Sequence, residues 1–167
     1  EISAAERESL RNYLETQLQS NSERFEAHVN LVKGYCKLKS AVLDVGCGGG
    51  AFLTLCRRDG FECFGIEPDL NRAEYAEEQT QAKIFNQDIA SEEFIEENHE
   101  KFDCVTFWDV IEHVNFPSAS LKAAARCLKK GGVICLDTPA KDSFYHKTGK
   151  LFYKLSFGRF PLFLNIM

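Results

Sequence analysis

Four acidic residues stand where apolar runs end: Asp44, Glu67, Asp88 and Asp109. The first lies in Ala41-Val42-Leu43-Asp44-Val45-Gly46-Cys47-Gly48-Gly49-Gly50. A β-favouring run that breaks into glycines reads as a buried strand turning sharply into a helix. Glycines at such a turn let the backbone approach a ligand closely, and the helix that follows offers unpaired N–H groups. A pyrophosphate held there gains nothing from the Asp44 carboxylate, whereas a cationic ligand does. The turn therefore points to a nucleoside that carries positive charge.

Glu67 ends Phe64-Gly65-Ile66-Glu67-Pro68, 21 residues after Gly46. At that separation an acid accepts the hydroxyls of a ribose; the plain alternative is a surface acid at a strand end. Asp88, in Asn86-Gln87-Asp88-Ile89, is placed to accept from an adenine amino group while Ile89 covers a ring face. Its alternative role is to cap the next helix, for which Ser91 is also suited. An adenosine bearing a positive charge is S-adenosylmethionine.

The elements that must hold these residues alternate along the chain. Residues 3–38 read as helices, with Leu10, Leu14 and Leu18, then Phe25, Val29 and Val32 at helical spacing and a break at Ser20-Asn21-Ser22. Strand-like runs follow at 41–46, 62–67, 83–87, 102–108 and 132–137, with helical runs at 50–59, 70–79, 91–97 and 117–129. Gly60, Gly131 and Gly132 fall where helices should stop. Five strands separated by helices indicate a mostly parallel sheet with helices on both faces. The organisation expected is a helical cap over 1–39, a nucleoside-binding core over 40–140 and an aromatic, basic segment over 141–167.

The chain has 167 residues, 44% hydrophobic and 27% charged, with a formal net charge of −5. That balance gives no expectation of a nucleic-acid-binding face. All of the acids lie at or before Asp142, leaving Lys147, Lys150, Lys154 and Arg159 as the charges of the tail. Seven cysteines are scattered with no Cys-x-x-Cys pair, so neither a zinc site nor a disulfide framework is expected, and no metal set stands out. A reducing cytoplasm fits this usage. No signal peptide or membrane-length apolar run is present. The start at Glu1 and the end inside Leu162-Phe163-Leu164-Asn165-Ile166-Met167 suggest part of a longer polypeptide.

The chain resembles the class I S-adenosylmethionine-dependent methyltransferases, in the branch of the ubiquinone-biosynthesis O-methyltransferases and small-molecule methyltransferases. The resemblance rests on Val42 to Gly50, Gly65-Ile66-Glu67-Pro68, Asp88, the run Phe102-Asp103-Cys104-Val105-Thr106-Phe107-Trp108-Asp109-Val110-Ile111-Glu112-His113-Val114, and Leu128-Lys129-Lys130-Gly131-Gly132-Val133-Ile134. It implies a Rossmann-like fold. Asp44 and the turn of Gly46, Cys47 and Gly48 would hold the methionine portion, Glu67 the ribose, and Asp88 with Ile89 the adenine. Asp109 and Val110 would line the space beside the sulfonium. The family's sheet has seven strands with an antiparallel terminal pair; only five are read here, so the C-terminal hairpin is expected to be missing.

His113 is the candidate catalytic base and Asp109 the second candidate catalytic residue. In the resembled enzymes Glu-His at this place is associated with acceptor deprotonation, sometimes with a metal, and a histidine can take a hydroxyl proton near neutral pH. The alternative is that His113 orders its loop. Methyl transfer from a sulfonium asks chiefly for alignment in a dry, acid-lined pocket, so a base is optional. His28, His99 and His146 have no supporting cluster in the sequence and read as surface or capping residues.

In the tail, Phe144, Tyr145, Phe152, Tyr153, Phe157, Phe160 and Phe163 interleave with basic residues. They read as a core or acceptor-pocket lid, with contact to an anionic membrane as the lesser alternative. The expected function is methylation of a small-molecule acceptor, O-methylation foremost. The alternatives are a non-catalytic module of the same fold and an NAD-dependent oxidoreductase. The latter is disfavoured by the missing Gly-x-Gly-x-x-Gly spacing and by Asp44.

Overall fold

The computed structural model describes residues 2–138 and 162–165. Two helices, α1 (Ala4–Ser20) and α2 (Ser22–Tyr35), precede the sheet. The chain then runs β1 (Ala41–Val45), α3 (Ala51–Arg58), β2 (Glu62–Ile66), α4 (Leu70–Thr80), β3 (Lys83–Phe85), α5 (Glu92–Glu97), β4 (Phe102–Trp108), α6 (Pro117–Cys127), β5 (Leu128–Asp137) and β6 (Leu162–Asn165). Ser3 and Glu6 close a capping box at the start of α1. Asn21 ends α1 and begins α2, with its N–H on Gln17 O at 3.0 Å, so the polar Ser20-Asn21-Ser22 break is the corner between them.

The strands are ordered β3-β2-β1-β4-β5-β6 and every pairing is parallel. This is the Rossmann-like α/β sheet expected from the alternating pattern. Strand order reverses between β1 and β4, which opens a crevice at their carboxyl ends. Alternation along the strands sorts side chains onto two faces. Val42, Cys63, Cys104, Val133 and Cys135 pack with Val29 and Val32 of α2 and Phe52, Leu53 and Cys56 of α3. On the opposite face Leu43, Phe64, Val105, Phe107 and Ile134 pack with Phe94 and Ile95 of α5 and Leu121, Ala124 and Cys127 of α6. The same alternation carries Asp44, Thr106, Trp108 and Asp137 to the end of the α2 and α3 face.

Two details differ from the sequence reading. The helix read to residue 129 ends at Cys127, and β5 begins at Leu128 rather than 132. Between the pairs Phe102↔Leu128 and Cys104↔Val133, β5 holds three more residues than β4. This bulge turns at Gly131, whose φ is +85°. Second, a sixth strand, β6, lies parallel beside β5, from Ile134↔Leu162 to Asp137↔Asn165, where no sixth strand was read. Without β6 the row of backbone groups on β5 would form a sheet edge, and a short β-favouring run satisfies it. The expected lid or membrane role falls on the aromatic tail over 141–167, of which only Leu162–Asn165 lies among the described residues, as β6. Among the described residues no helix is long and apolar enough to cross a membrane.

Candidate functional site

The turn after β1 is built on left-handed backbone. Gly46 has φ +74° and Gly48 φ +56°, conformations that a side chain strains. At Gly46 a Cβ would also stand 2.5 Å from Val110 Cγ2, whereas at Gly48 it would meet nothing within 4 Å. The Gly46 and Cys47 N–H groups donate to Ile66 O at 2.8 and 3.0 Å, tying the turn to the end of β2. The Gly48 N–H donates to Glu67 Oε2 at 2.9 Å. Cys47 is buried, and burial pushes its thiol pKa well up, so it packs without ionising.

A cavity of about 250 Å³ lies over this turn, and Asp44, Glu67 and Asp109 all line it. Asp44 is 4% exposed and accepts from Thr106 Oγ1 at 2.7 Å. The register that places Asp44 opposite Thr106 makes this bond. Burial pushes the Asp44 pKa up to about 7; the Thr106 bond opposes the rise, and the charges of Asp137 and Glu67 add to it. A cation entering the cavity would relieve all of these penalties together. Glu67, also buried, accepts from Gly48 N through one oxygen and from Asp69 N through the other at 3.0 Å. Each oxygen keeps a lone pair for a further donor.

Asp109 follows β4 in a left-handed conformation, φ +54°. Its N–H donates to Asp137 Oδ1 at 3.1 Å, and its Oδ2 is 2.5 Å from the Arg24 guanidinium. Asp137 in turn receives Arg24 at 2.9 Å and His28 Nε2 at 2.8 Å on its other oxygen. Burial raises the Asp137 pKa, yet the bonds from His28 and Arg24 outweigh it and hold the carboxyl below the usual aspartate range. His28 is 2% exposed and stacks on Trp108, with centroids 3.8 Å apart and planes at 3°. Here the sequence reading is corrected: His28 is neither a surface nor a capping residue but part of a buried cluster. Arg24 and Asp137 were not singled out either. One signal was available, since Arg24 and His28 stand one helical turn apart and so share a face of α2.

Arg24, His28 and Trp108 also line the cavity. Arg24 Nε, His28 Nδ1 and Trp108 Nε1 are buried and unpaired among the described residues. The cavity wall thus combines carboxylates with unused nitrogens. An amino-acid end, with its ammonium and its carboxylate, beside a sulfonium matches this set of groups.

A second cavity of about 650 Å³ lies on the other side of Gly46 and Val110, and Asp88, Ile89 and His113 line it. Asp88 is exposed, and its Oδ1 accepts from Ala90 N at 2.9 Å. The cap of α5 is supplied by Ser91, whose side chain accepts from Phe94 N, so Asp88 does not serve as the N-cap. His113 is exposed, and its N–H donates to Val110 O at 2.8 Å. It lies with the Asp88 and Ile89 pair rather than with Asp109. Gly46 and Val110 border both cavities, so the two lie side by side along the strand ends.

A Rossmann-like parallel sheet with acid-lined cavities at its carboxyl ends is the architecture of a nucleoside-cofactor-binding domain of the methyltransferase class. The profile of the family described as "Methyltransferase domain" matches residues 10–162, and the chain belongs to that family, the class I S-adenosylmethionine-dependent methyltransferases. It is similar to a ubiquinone biosynthesis O-methyltransferase of Acinetobacter baylyi, 38% identical over 101 residues, which are 58% of this chain and 42% of the relative. The chain therefore spans less than half the length of that relative. Among solved structures, a protein from Pyrococcus horikoshii OT3 aligns with a TM-score of 0.61 at 27% identity, over 71% of this chain and 57% of that one. A methyltransferase from Thiobacillus denitrificans, crystallised with S-adenosyl-L-homocysteine, aligns at 0.53 and 21% identity over 68% and 47% of the two chains.

Proposed function

We propose that this chain is the cofactor-binding part of an S-adenosylmethionine-dependent methyltransferase that methylates a small-molecule acceptor, with oxygen as the favoured atom. The observation that carries the reading is the union of Asp44, Glu67 and Asp109 in one cavity with the unused nitrogens of Arg24, His28 and Trp108. The name of the similar Acinetobacter baylyi protein supports O-methylation of a quinone-like precursor.

When bound, the cofactor supplies a methyl group on a sulfur that already carries the activating charge. The chain's own residues hold and orient it. Asp44, with the turn of Gly46, Cys47 and Gly48, takes the ammonium end of the methionine portion. Arg24, whose Nε is unpaired among the described residues, would take its carboxylate. Glu67 keeps its two backbone bonds and accepts the ribose hydroxyls, while Asp88 and Ile89 hold the adenine in the second cavity. Asp109 and Val110 border the sulfonium. Oriented carboxylates favour the positive charge, so the enzyme's contribution is alignment. His113 sits with the residues proposed for the adenine, which supports a wall role over that of a base.

The cap over 1–39 would close the cavity through α1 and α2, with 40–140 as the core. All seven cysteines are free, which supports a reducing compartment such as the cytoplasm. The net charge of −5 supports a small acceptor over a nucleic acid.

Calorimetry with S-adenosylmethionine, S-adenosylhomocysteine and NAD tests the reading. Binding of the first two without NAD is expected; the opposite selectivity overturns it. A labelled-methyl screen over phenols, catechols and sugars then separates an enzyme from a module that binds without turnover.

A further inference from the structure

Asp137 serves two neighbours at once. Its Oδ1 accepts the Asp109 N–H at 3.1 Å, and its Oδ2 faces His28 Nε2 at 2.8 Å. One carboxylate therefore ties the imidazole to the residue that borders the sulfonium in the proposed binding mode. The ring is fixed in plane as well as in place. Trp108 stacks on it, while Phe25 and Phe52 meet it edge-on with centroids at 6.3 and 6.4 Å. Its second nitrogen, Nδ1, is buried and unpaired among the described residues, on a side chain that lines the cavity.

The chemistry of that nitrogen follows from its partner. Burial raises the Asp137 pKa, but His28 and Arg24 hold the carboxyl below the usual aspartate range, so it is ionised near neutral pH and can only accept. The proton between the two groups thus sits on Nε2, and Nδ1 of the neutral ring offers a lone pair. The other two unused nitrogens differ, since Arg24 Nε and Trp108 Nε1 carry hydrogen and can only donate. They suit the carboxylate of the methionine portion, whose ammonium goes to Asp44 in the proposed mode. His28 Nδ1 is left for a donor that the cofactor does not supply.

We propose that His28, oriented by Asp137, is the catalytic base of the transfer, with Nδ1 taking the proton of a hydroxyl on the methyl acceptor. This role rests on the proposed function, and it moves the base from the cavity of His113 to the cavity of Asp109. As the acceptor oxygen bonds to the methyl carbon, its O–H bond breaks towards Nδ1. The carbon–sulfur bond breaks and its electron pair stays on sulfur. One positive charge is lost at sulfur and one gained at the imidazole, beside the Asp137 carboxylate, so the net charge of the cavity does not change. A base held by a third group, with its free nitrogen facing the reacting atoms, is what general-base catalysis asks for. The charged groups around the ring are Asp137 on β5 and Arg24 on α2, with Asp44, Glu67, Asp109 and Arg72 lining the same cavity. Its α3 and β4 neighbours, Phe52 and Trp108, are uncharged.

The test compares His28→Gln with wild type on catechol and on 4-nitrocatechol, whose hydroxyl ionises far more readily. Saturating S-adenosylmethionine removes the effect of Asp44 on binding. The variant should then lose about a hundredfold or more in kcat on catechol, with the acidic limb of the kcat profile gone, and only a few-fold on 4-nitrocatechol. Equal losses on the two acceptors, or a raised cofactor KM with kcat unchanged, overturn the proposal. Because a buried ring tolerates substitution poorly, a second measurement uses the unliganded wild-type chain. Nitrogen-15 NMR of labelled histidine should show the neutral His28 ring with its proton on Nε2; a proton on Nδ1 with Nε2 bare overturns the role. A chain that binds S-adenosylhomocysteine but methylates neither catechol overturns the base role and leaves the cofactor site standing. A chain that binds no cofactor overturns the proposed function, and the base role with it.

Discussion

Asp137 Oδ1 accepts the Asp109 N–H at 3.1 Å, so the last residue of β5 holds the residue that follows β4 in its left-handed conformation. Its other oxygen is held by Arg24 and His28, and this carboxylate joins the α2 wall to the strand ends. Asp137→Asn removes the charge from a buried cluster and leaves Arg24 and His28 partly unpaired. We expect a loss of about 3 kcal/mol, in the range for breaking a buried ion pair, read by urea unfolding. The folded pKa is depressed, so this stability is present above the unfolded value near 3.9 and is lost as pH falls through the folded one. An Asp137→Asn protein as stable as wild type at pH 7 would contradict the joining role.

Asp44 works in the opposite direction. Its pKa is about 7 in the ligand-free fold, against about 3.9 when unfolded. A raised carboxyl favours the folded state at low pH, and that contribution is lost as pH climbs through the window from about 4 to 7. Cofactor binding has the reverse sign, because a cation favours the ionised form. Affinity for S-adenosylmethionine should rise by up to about tenfold per pH unit below 7 and level off above it. Calorimetry across pH measures this. Asp44→Asn should bind more weakly with a flatter profile; an unchanged profile in that variant would remove Asp44 from the ligand.

Two glycines of one turn should separate folding from binding. Gly48→Ala meets only backbone strain, about 1–2 kcal/mol, because nothing lies within 4 Å of its Cβ. The new methyl faces the cavity, so a folded protein with at least tenfold weaker cofactor binding is expected. Gly46→Ala adds a contact of 2.5 Å with Val110 Cγ2, and about 2–4 kcal/mol of stability should be lost. Thermal unfolding with parallel calorimetry reads both, and equal destabilisation of the two variants would refute the distinction.

His113 lines the cavity of Asp88 and Ile89. His113→Gln should therefore keep most of its turnover and alter cofactor KM by a few-fold. A kcat fall of a hundredfold or more, with loss of the acidic limb of the pH profile, would restore it as the base.

Much of this was legible because it is local. The glycine turn, Asp44 and Glu67 lie within short runs whose alternation and turn chemistry name their own geometry. Ser91, weighed beside Asp88 as a cap, took that role because capping is settled within one turn of helix. β6 was not legible, since a short apolar run is shared by helices and strands and is decided by an edge to pair with. Nor was the start of β5, where a bulge absorbs residues that local pattern assigns to a helix.

The sequence alone determined the strand–helix alternation, the glycine turn and the acids at or next to the ends of β1, β2 and β4, because each depends on neighbours a few residues away. By contrast, β3 ends at Phe85 and leaves Asp88 three residues beyond it. Only the tertiary structure brought Arg24 and His28 to Asp137, across 113 and 109 residues. Those contacts depend on which face α2 buries and on β5 lying beside β4. Burial then decided what the residues are chemically. A lone aspartate in the sequence became, at Asp44, a carboxyl with a pKa of about 7. His28, isolated in the sequence, became a buried partner of a carboxylate, since only packing removes water from a side chain.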